Sequence, residues 1–438
     1  MRTLALFAIA AAGSLLQSAA PPPPVQLLTV PQEDRSRSRM SPASASVSAD
    51  GRYVALTSFA RLTPADTNDH ADVYVLDRAS NSLTLESPRG ADTPDTFRVN
   101  AHPRLSPDGR YLVFDETVAK GEGRFAVTLV IRDRVKGVMT RVKHGHADAW
   151  IGSGALSDDG RVVVFASNST TLVAGRDENG DVRDVYALDT ATGIVRRASI
   201  DSRGHQRAHG ESTAPGVSGT GRYVVFTSTA DFNDASEPLR HGNGDPARSA
   251  HIYLRDVDLN LTRCISGATR ERSAGGSSYD GVISRNGRYI AFVSEATTLA
   301  PGDRNRSSDV FLHDTADGST MLVSRSAAGG SANGASRNPA ISSDGRFVAF
   351  QSDASDLVCA VRCAAADEDI NLLPDIFLFD RVTGGTTRIS AGAAGGWMEE
   401  SVAPAISAGG DVIAYSSRHP IDAHDVDHDF DLFVWARR

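Results

Sequence analysis

Ser342-Ser-Asp-Gly-Arg-Phe347 runs directly into the apolar stretch Val348-Ala-Phe350, and this combination recurs along the chain. An Asp-Gly or Asn-Gly pair accepts positive φ at little cost, as a tight hairpin turn requires. The apolar run after the turn is unbroken, which predicts a strand covered by protein on both faces. Copies of the turn begin at Ser48, Ser106, Ser157, Ser218, Ser284, Ser342 and, in its most divergent form, Ser407.

Each copy continues through a variable loop into a second apolar segment of the form Asp-Val-Tyr/Phe-x-x-Asp, as in Asp309-Val-Phe-Leu-His-Asp314. A short turn and a more polar strand such as Thr386-Thr-Arg-Ile-Ser390 complete the unit. Four antiparallel strands repeated every 51 to 66 residues predict the blades of a β-propeller. We therefore expect an all-β fold with a single propeller of seven four-stranded blades. Six or eight blades stay open because the second and seventh units are weak.

The last unit lacks its fourth strand, because the chain ends shortly after Asp431-Leu-Phe-Val-Trp435. The segment Val25-Gln-Leu-Leu-Thr-Val30, just before the first unit, can supply it and close the ring. The expected propeller domain spans residues 21–438, with the closing strand at about 25–30 and the repeats over 44–438.

The unit Ser-x-Asp-Gly-Arg-Tyr-Val-Ala-Phe, followed by Asp-Val-Tyr/Phe-x-x-Asp, resembles the TolB-type propeller repeat, a bacterial relative of WD-type repeats. The resemblance covers Val25 to Arg438. It implies a propeller and, by analogy with TolB, a binding partner within the cell envelope. Other propellers of this type belong to peptidases or carbohydrate-active enzymes. This chain differs from TolB in having seven repeats rather than six and no separate N-terminal α/β domain, and it contains no Gly-x-Ser-x-Gly motif of a hydrolase.

Residues 1–20 have the layout of a secretory signal peptide, with Arg2 before an uncharged apolar run from Leu4 to Leu16. The expected location is the periplasm or the outside of the cell, with no membrane span after cleavage. Cys359 and Cys363 are close enough to bridge a loop and Cys264 is left over, although three free thiols remain the alternative.

The charge of the chain argues against nucleic-acid binding. Lys and Arg number 45 against 54 Asp and Glu, a net charge of −9, and such a chain lacks the basic face that displaces phosphate counterions. We expect a monomer that binds a protein or a cell-envelope component. Strand parity places the short first-to-second and third-to-fourth turns on one face, and the long, variable loops on the other. Function usually lies on such loops, so the long-loop face is the predicted binding face.

Spaced Asp and Asn residues recur in the loops just before the third strands. Alternating oxygens on a tight loop can converge on Ca²⁺, which accepts six to eight oxygen ligands. The alternative is that these residues cap turns and bond to their own backbone. The candidate ligands are Asp66, Asn68 and Asp72 in unit one, Asp177, Asn179, Asp181 and Asp184 in unit three, Asp303, Asn305 and Asp309 in unit five, and Asp425, Asp427 and Asp431 in unit seven. Unit six has a longer version with Asp367, Asp369 and Asp375.

The enzyme hypothesis rests on histidines in the long loops. His205, His209 and Glu211 are its candidate catalytic residues, in a metal-dependent carbohydrate-active lyase or hydrolase at the channel mouth. The loops also contain Trp150 and Trp397, which suit sugar stacking and equally suit protein contacts or simple packing. Solvated loop histidines are the competing interpretation, since no HExxH motif is present. The preferred hypothesis is a non-catalytic binding scaffold, with no required cofactor and Ca²⁺ as the candidate ion.

Overall fold

The computed structural model describes residues 26–27, 40–87, 98–121, 124–143, 150–232, 249–267, 276–358, 373–390, 400–418 and 430–437. Within these residues, 28 strands and no helix form seven antiparallel sheets of four strands each. The expected all-β, seven-bladed propeller is confirmed, and the alternatives of six and eight blades are wrong. The described residues include no helix long and apolar enough to cross a bilayer.

Each blade contains four consecutive strands, numbered outward from the central channel. Blade one is β2 (Met40–Val47), β3 (Tyr53–Ser58), β4 (Asp72–Asp77) and β5 (Ser82–Leu85). Blade two is β6 (Arg98–Leu105), β7 (Tyr111–Gly121), β8 (Arg124–Asp133) and β9 (Val138–Arg141). Blade three is β10 (Ile151–Leu156), β11 (Val162–Ser167), β12 (Asp184–Asp189) and β13 (Val195–Arg197). Blade four is β14 (Ser212–Val217), β15 (Tyr223–Ser228), β16 (His251–Asp256) and β17 (Leu261–Cys264).

The remaining blades follow the same plan. Blade five is β18 (Ser278–Ile283), β19 (Tyr289–Ser294), β20 (Asp309–Asp314) and β21 (Thr320–Leu322). Blade six is β22 (Ser336–Ile341), β23 (Phe347–Ser352), β24 (Asp375–Asp380) and β25 (Thr386–Arg388). Blade seven has only three strands from the end of the chain, β26 (Ser401–Ile406), β27 (Val412–Ser417) and β28 (Asp431–Ala436).

Blade seven is completed by β1 (Gln26–Leu27), as the sequence predicts. In this antiparallel pairing, Gln26 lies opposite Val434 and Leu27 opposite Phe433. The pairing covers an edge of β28 that would otherwise present unpaired backbone groups. The ring is therefore closed by strands from the two ends of the chain.

The repeated turn is held by its own serine. In blade six, the Ser342 hydroxyl donates to Asp344 at 2.7 Å and accepts from the amide of Phe347 at 2.9 Å. Gly345 follows with a φ of 72° and donates its amide to the Ser342 carbonyl at 3.0 Å. A buried hydroxyl that both donates and accepts fixes the turn without a net charge.

The hydrophobic core lies between the blades. Among the described residues, seven apolar clusters occur, and each joins two neighbouring blades. One of them packs Val310 and Leu312 of blade five against Phe350 and Phe377 of blade six. Because both faces of the second strand of each blade are covered, the apolar run after each turn does not alternate with polar residues.

Candidate functional site at the long-loop face and channel

The two faces of the ring differ in their charges. The first-to-second and third-to-fourth turns share one face, here called the hairpin face. Its recurring feature is an Arg after the turn glycine that donates to the Asp at the end of the third strand. Six described blades contain this pair: Arg52–Asp77, Arg110–Asp133, Arg161–Asp189, Arg222–Asp256, Arg288–Asp314 and Arg346–Asp380. The Asp that ends the third strand is thus paired within its own blade in these six blades.

The opposite, long-loop face is extended by blade two. Strands β7 and β8 have 11 and 10 residues, whereas the corresponding strands β11 and β12 of blade three have six each. The extra residues, 117–121 and 124–127, form an antiparallel arm that projects by about 15 Å at the usual rise per residue. Phe125 near its tip is 55% exposed.

The base of the arm contacts blade three. Val127 forms an isolated bridge with Trp150, which is half-buried, and the Arg183 guanidinium lies 5.2 Å from the Trp150 ring centroid. Arg183 also pairs with Glu211. The Arg183 guanidinium therefore links the Trp150 indole to the Glu211 carboxylate. Trp150, which the sequence places in a long loop, takes part in a packed contact between blades two and three.

The innermost strands surround a channel with a volume of about 480 Å³. Each inner strand contains a bulge, where the register with its neighbour shifts. In six blades the bulge residue has positive φ and lines the channel: His102, Ser153, Ala214, Asp280, Asn338 and Ala403. None of these residues is among the candidates predicted from the sequence. Their signal is a proline after the bulge position in four blades, at Pro103, Pro215, Pro339 and Pro404.

The channel wall contains few charged side chains. His102 Nδ1 lies 3.1 Å from Asp115 Oδ2, and Asp115 also accepts from the Ser153 amide. Burial raises the pKa of Asp280. These polar groups differ from blade to blade, so the channel is chemically asymmetric although the backbone repeats.

Blade three brings three of its four candidate calcium ligands together around side chains of its own. Gln206 Nε2 lies within hydrogen-bonding distance of oxygens of Asp177, Asn179 and Asp184, at 2.8, 2.6 and 2.7 Å, and shares its two protons among them. Arg197 donates to the other Asp177 oxygen at 2.8 Å and lies 3.3 Å from Asp184. The predicted fourth ligand is Asp181, which is exposed. A guanidinium and an amide occupy the centre of this cluster.

The carboxylates of blade one are also satisfied internally. Asp66 accepts from the Tyr74 hydroxyl and, at 3.1 Å, from the Asn68 amide. Asp72 accepts from the Asn68 side chain at 3.0 Å, from the Ser87 hydroxyl and from Asn100. This pattern matches the alternative that the sequence left open, in which the loop residues bond to one another.

A serine holds one oxygen of the first Asp in several third strands. Ser199 donates to Asp184 at 2.7 Å and accepts from the Val185 amide at 3.1 Å. The other pairs of this kind are Asp72–Ser87, Asp309–Ser324 and Asp375–Ser390. Burial is the main cause that raises the pKa of Asp184 to about 6.

The candidate catalytic residues are not gathered at one point. His205 is 69% exposed with Nδ1 3.8 Å from Asp201, His209 is exposed, and Glu211 pairs with Arg183. Among the described residues, no group of three or more His, Cys, Asp or Glu has the arrangement of a metal site. Asp431 is buried, and Cys264 is a free thiol whose pKa burial raises to about 12. Residues outside the described ranges include Asp425, Asp427, Trp397, Cys359, Cys363, Asp367 and Asp369.

Comparison with known proteins supports the fold and leaves the function open. No protein-family model matches the chain, and no curated protein matches it. An oligogalacturonate lyase solved in complex with manganese is similar in structure, with 14% identity and a TM-score of 0.54 over 94% of this chain and 93% of the lyase. The propeller domain of the Trilobed protease from Pyrococcus furiosus has 10% identity and a TM-score of 0.53, over 91% of this chain and 95% of that domain.

TolB from Acinetobacter baumannii also matches, at 15% identity and a TM-score of 0.38 over 91% of this chain and 86% of TolB. Identities this low show the fold alone. The seven sheets establish the propeller that the TolB-type resemblance implies, while the named proteins have different activities.

Proposed function

We propose that the chain is a non-catalytic binding propeller that acts in the periplasm or outside the cell after removal of residues 1–20. Its long-loop face binds a protein or a cell-envelope component. The observation that carries this proposal is the arm of blade two, because the arm adds surface to one face without adding to the apolar clusters between blades.

The tip of the arm has the composition of a contact surface. Phe125 is 55% exposed, and Lys120 and Arg124 beside it are exposed as well. Aromatic side chains and arginine are enriched where proteins bind one another.

The hairpin face supports the proposal by contrast. In six blades the Asp that ends the third strand is paired with an arginine of the same blade. The exposed apolar side chains in or beside its outer turns are aliphatic and come from four blades: Val135, Val138, Ile194, Val257, Leu259 and Val382. Single exposed apolar residues are normal on a protein surface. Leu259, at 66% exposed, therefore provides a matched control for Phe125.

The test compares Phe125→Ser with Leu259→Ser. Both proteins and the native chain are used as bait for periplasmic and envelope fractions of the source cell, and the dissociation constant is then measured for each component identified. An aromatic residue at the centre of an interface contributes about 2 kcal/mol or more, so Phe125→Ser should weaken binding by about 30-fold. Leu259→Ser should leave binding unchanged. Equal affinity of the native and Phe125→Ser proteins, or a loss caused by Leu259→Ser alone, contradicts the proposal.

The second candidate function is a metal-dependent carbohydrate-active lyase or hydrolase. It is favoured by the likeness to the oligogalacturonate lyase over nearly the full length of both chains. Oligogalacturonate with Mn²⁺ is therefore the first substrate to assay. If the native chain turns over this substrate and His205→Ala/His209→Ala does not, the enzyme function replaces the scaffold proposal. If the double variant retains the activity, catalysis depends on other residues.

A further inference from the structure

The acidic loop of blade five differs from its counterparts in what surrounds its carboxylates. Asp303, Asn305 and Asp309 have the same spacing as Asp66, Asn68 and Asp72 of blade one. Ser324 donates to Asp309 Oδ1 at 2.6 Å, as the equivalent serines do in the other blades. The remaining oxygens do not have the partners found elsewhere.

Two substitutions remove those partners. The position of Tyr74, whose hydroxyl donates to Asp66, is taken in blade five by Phe311, which has no donor. The position of Arg197, opposite Tyr186 in blade three, is taken by Leu322 opposite Phe311. Blade six retains an arginine here, and Arg388 lies 2.9 Å from Asp375.

Three buried carboxylate oxygens are left without a hydrogen bond, both of Asp303 and Oδ2 of Asp309. The two side chains are only 7% and 0% exposed. The Asn305 side chain donates instead to the Ala332 carbonyl at 2.9 Å. Among the described residues, no Lys or Arg lies within 4.0 Å of either carboxylate, and Arg304 and Arg306 of the same loop are exposed.

An isolated pair of buried acids is costly, since each charge loses its hydration. Burial is the main cause that raises the pKa of Asp309 to about 7, and the nearby charge of Asp303 adds to the rise, while Ser324 and the neighbouring Asn305 side chain offset part of it. Burial also raises the pKa of Asp303. The backbone amide of Asn305 lies close to this carboxylate and offsets part of the rise, although it does not reach hydrogen-bonding geometry. In blade three, Arg197 supplies the positive charge that blade five lacks.

We propose that Asp303 and Asp309 bind a divalent cation, Ca²⁺ by preference, in the loop of blade five. The donors are oxygens only, which suit a hard cation. Three oxygens leave further coordination positions to waters or carbonyls, and Ca²⁺ tolerates such irregular ligand sets better than Mg²⁺ does. The cation takes the structural place of Arg197, and the inference holds whichever function the long-loop face has.

The experiment is calorimetric titration of the chelator-treated full chain with Ca²⁺, together with melting temperatures in Ca²⁺ and in chelator. The native chain should bind Ca²⁺ with a dissociation constant of about 0.1–1 mM, the range of extracellular calcium modules, and should melt at a higher temperature in Ca²⁺. Asp303→Asn and Asp309→Asn should each weaken this site at least tenfold and reduce the increase in melting temperature. Circular dichroism establishes that the variants are folded.

Two further variants make the assignment specific. Asp66→Asn changes the equivalent acid of blade one, whose oxygens are already bonded, and should leave Ca²⁺ binding intact. Asp425→Asn changes the corresponding acid of blade seven. If a second Ca²⁺ site is present there, this variant loses that binding event and keeps the one in blade five. The proposal is overturned if the native chain binds no Ca²⁺ at millimolar concentration, or if Asp303→Asn and Asp309→Asn bind it as the native chain does.

Discussion

The turn glycines are held in place by two independent constraints. Gly345 has a φ of 72°, and a Cβ at this position would lie inside contact distance of the Tyr289 ring of the preceding blade. Gly109 lies in the same way against Tyr53, and Gly410 against Phe347. A side chain at these positions therefore disturbs both the turn and the contact between two blades.

We predict that Gly345→Ala lowers the free energy of unfolding by about 3 kcal/mol, combining left-handed backbone strain of about 1–2 kcal/mol with overpacking of a similar size. Gly318 is the control, because it has a φ of 76° and no other group lies within 4 Å of the place that an alanine methyl would take. Gly318→Ala should cost only the backbone strain. Urea unfolding measures both values, and equal losses would show that the contact with Tyr289 contributes nothing.

The sequence predicts the conformation of these glycines but not their packing. A repeated Asp-Gly pair indicates positive φ, because few other residues adopt it. In the fold, the turn glycine of each blade contacts the first residue after the turn of the preceding blade. This contact depends on the rotation between blades, which no local pattern encodes. The partners of the acidic residues are unpredictable for the same reason, since Arg197 and Gln206 reach Asp177 from 20 and 29 residues away.

At the scale of the blade, the same four-stranded framework surrounds the acidic loop residues with different polar side chains. The acid pair of blade three is balanced by Arg197 and that of blade one by hydroxyl and amide donors, whereas in blade five the Ser324 hydroxyl bonds one oxygen of Asp309 and three carboxylate oxygens have no hydrogen bond. The sequence correctly predicts the four strands of each blade. It does not predict the bulges of the inner strands, because an extra residue in one strand leaves the apolar pattern of its neighbours unchanged.

Blade three gives a prediction for the pH dependence of stability. Asp184 has a pKa of about 6 in the folded chain and an ordinary value of 3.8. The folded state therefore holds a proton that the unfolded state has lost, so this group makes stability fall as the pH rises from about 4 to 6. Asp184→Asn should reduce the slope in that part of the curve, to which Asp309 with its pKa of about 7 also contributes, while Asp177 still pairs with Arg197.

The measurement is the melting temperature between about pH 4.5 and 6.5, compared for the native and variant proteins. Asp133→Asn is the control, because hydrogen bonds from Arg110 lower the pKa of Asp133 to about 2 and it stays ionised over this interval. The control should retain the native slope. If the melting temperature of Asp184→Asn changes with pH as that of the native chain does, the Asp184 carboxyl does not titrate in the interval.

At the scale of the whole molecule, the fold is stabilised by contacts between neighbouring blades of the ring. Every described apolar cluster spans two blades, so no blade has a core of its own. Backbone hydrogen bonds also pass between turns, from Ser343 to Ala408 and from Ala408 to Ala49, each at 3.0 Å. The contact between blades seven and one is therefore like the other contacts around the ring, and the chain is expected to unfold as one unit.

Ring closure can be tested by truncation. Removal of residues 1–30 deletes β1 and exposes the edge of β28, so we predict a lower melting temperature and concentration-dependent association through the open edge. Removal of residues 1–20 keeps β1 and is the matched control, with a melting temperature like that of the full chain. Calorimetry and light scattering give the two readouts. If both truncated chains behave alike, β1 does not contribute to closure.

The pairing of β1 with β28 also sets an order of events during synthesis. Gln26 is synthesised long before its partner Val434. The first strand must therefore remain unpaired while some 400 residues follow it. Contacts between distant parts of a chain form slowly, so closure should be the late step of folding. Until Val434 has been synthesised, the seam between blades one and seven stays open, and the blades already made depend for their packing on their other neighbours.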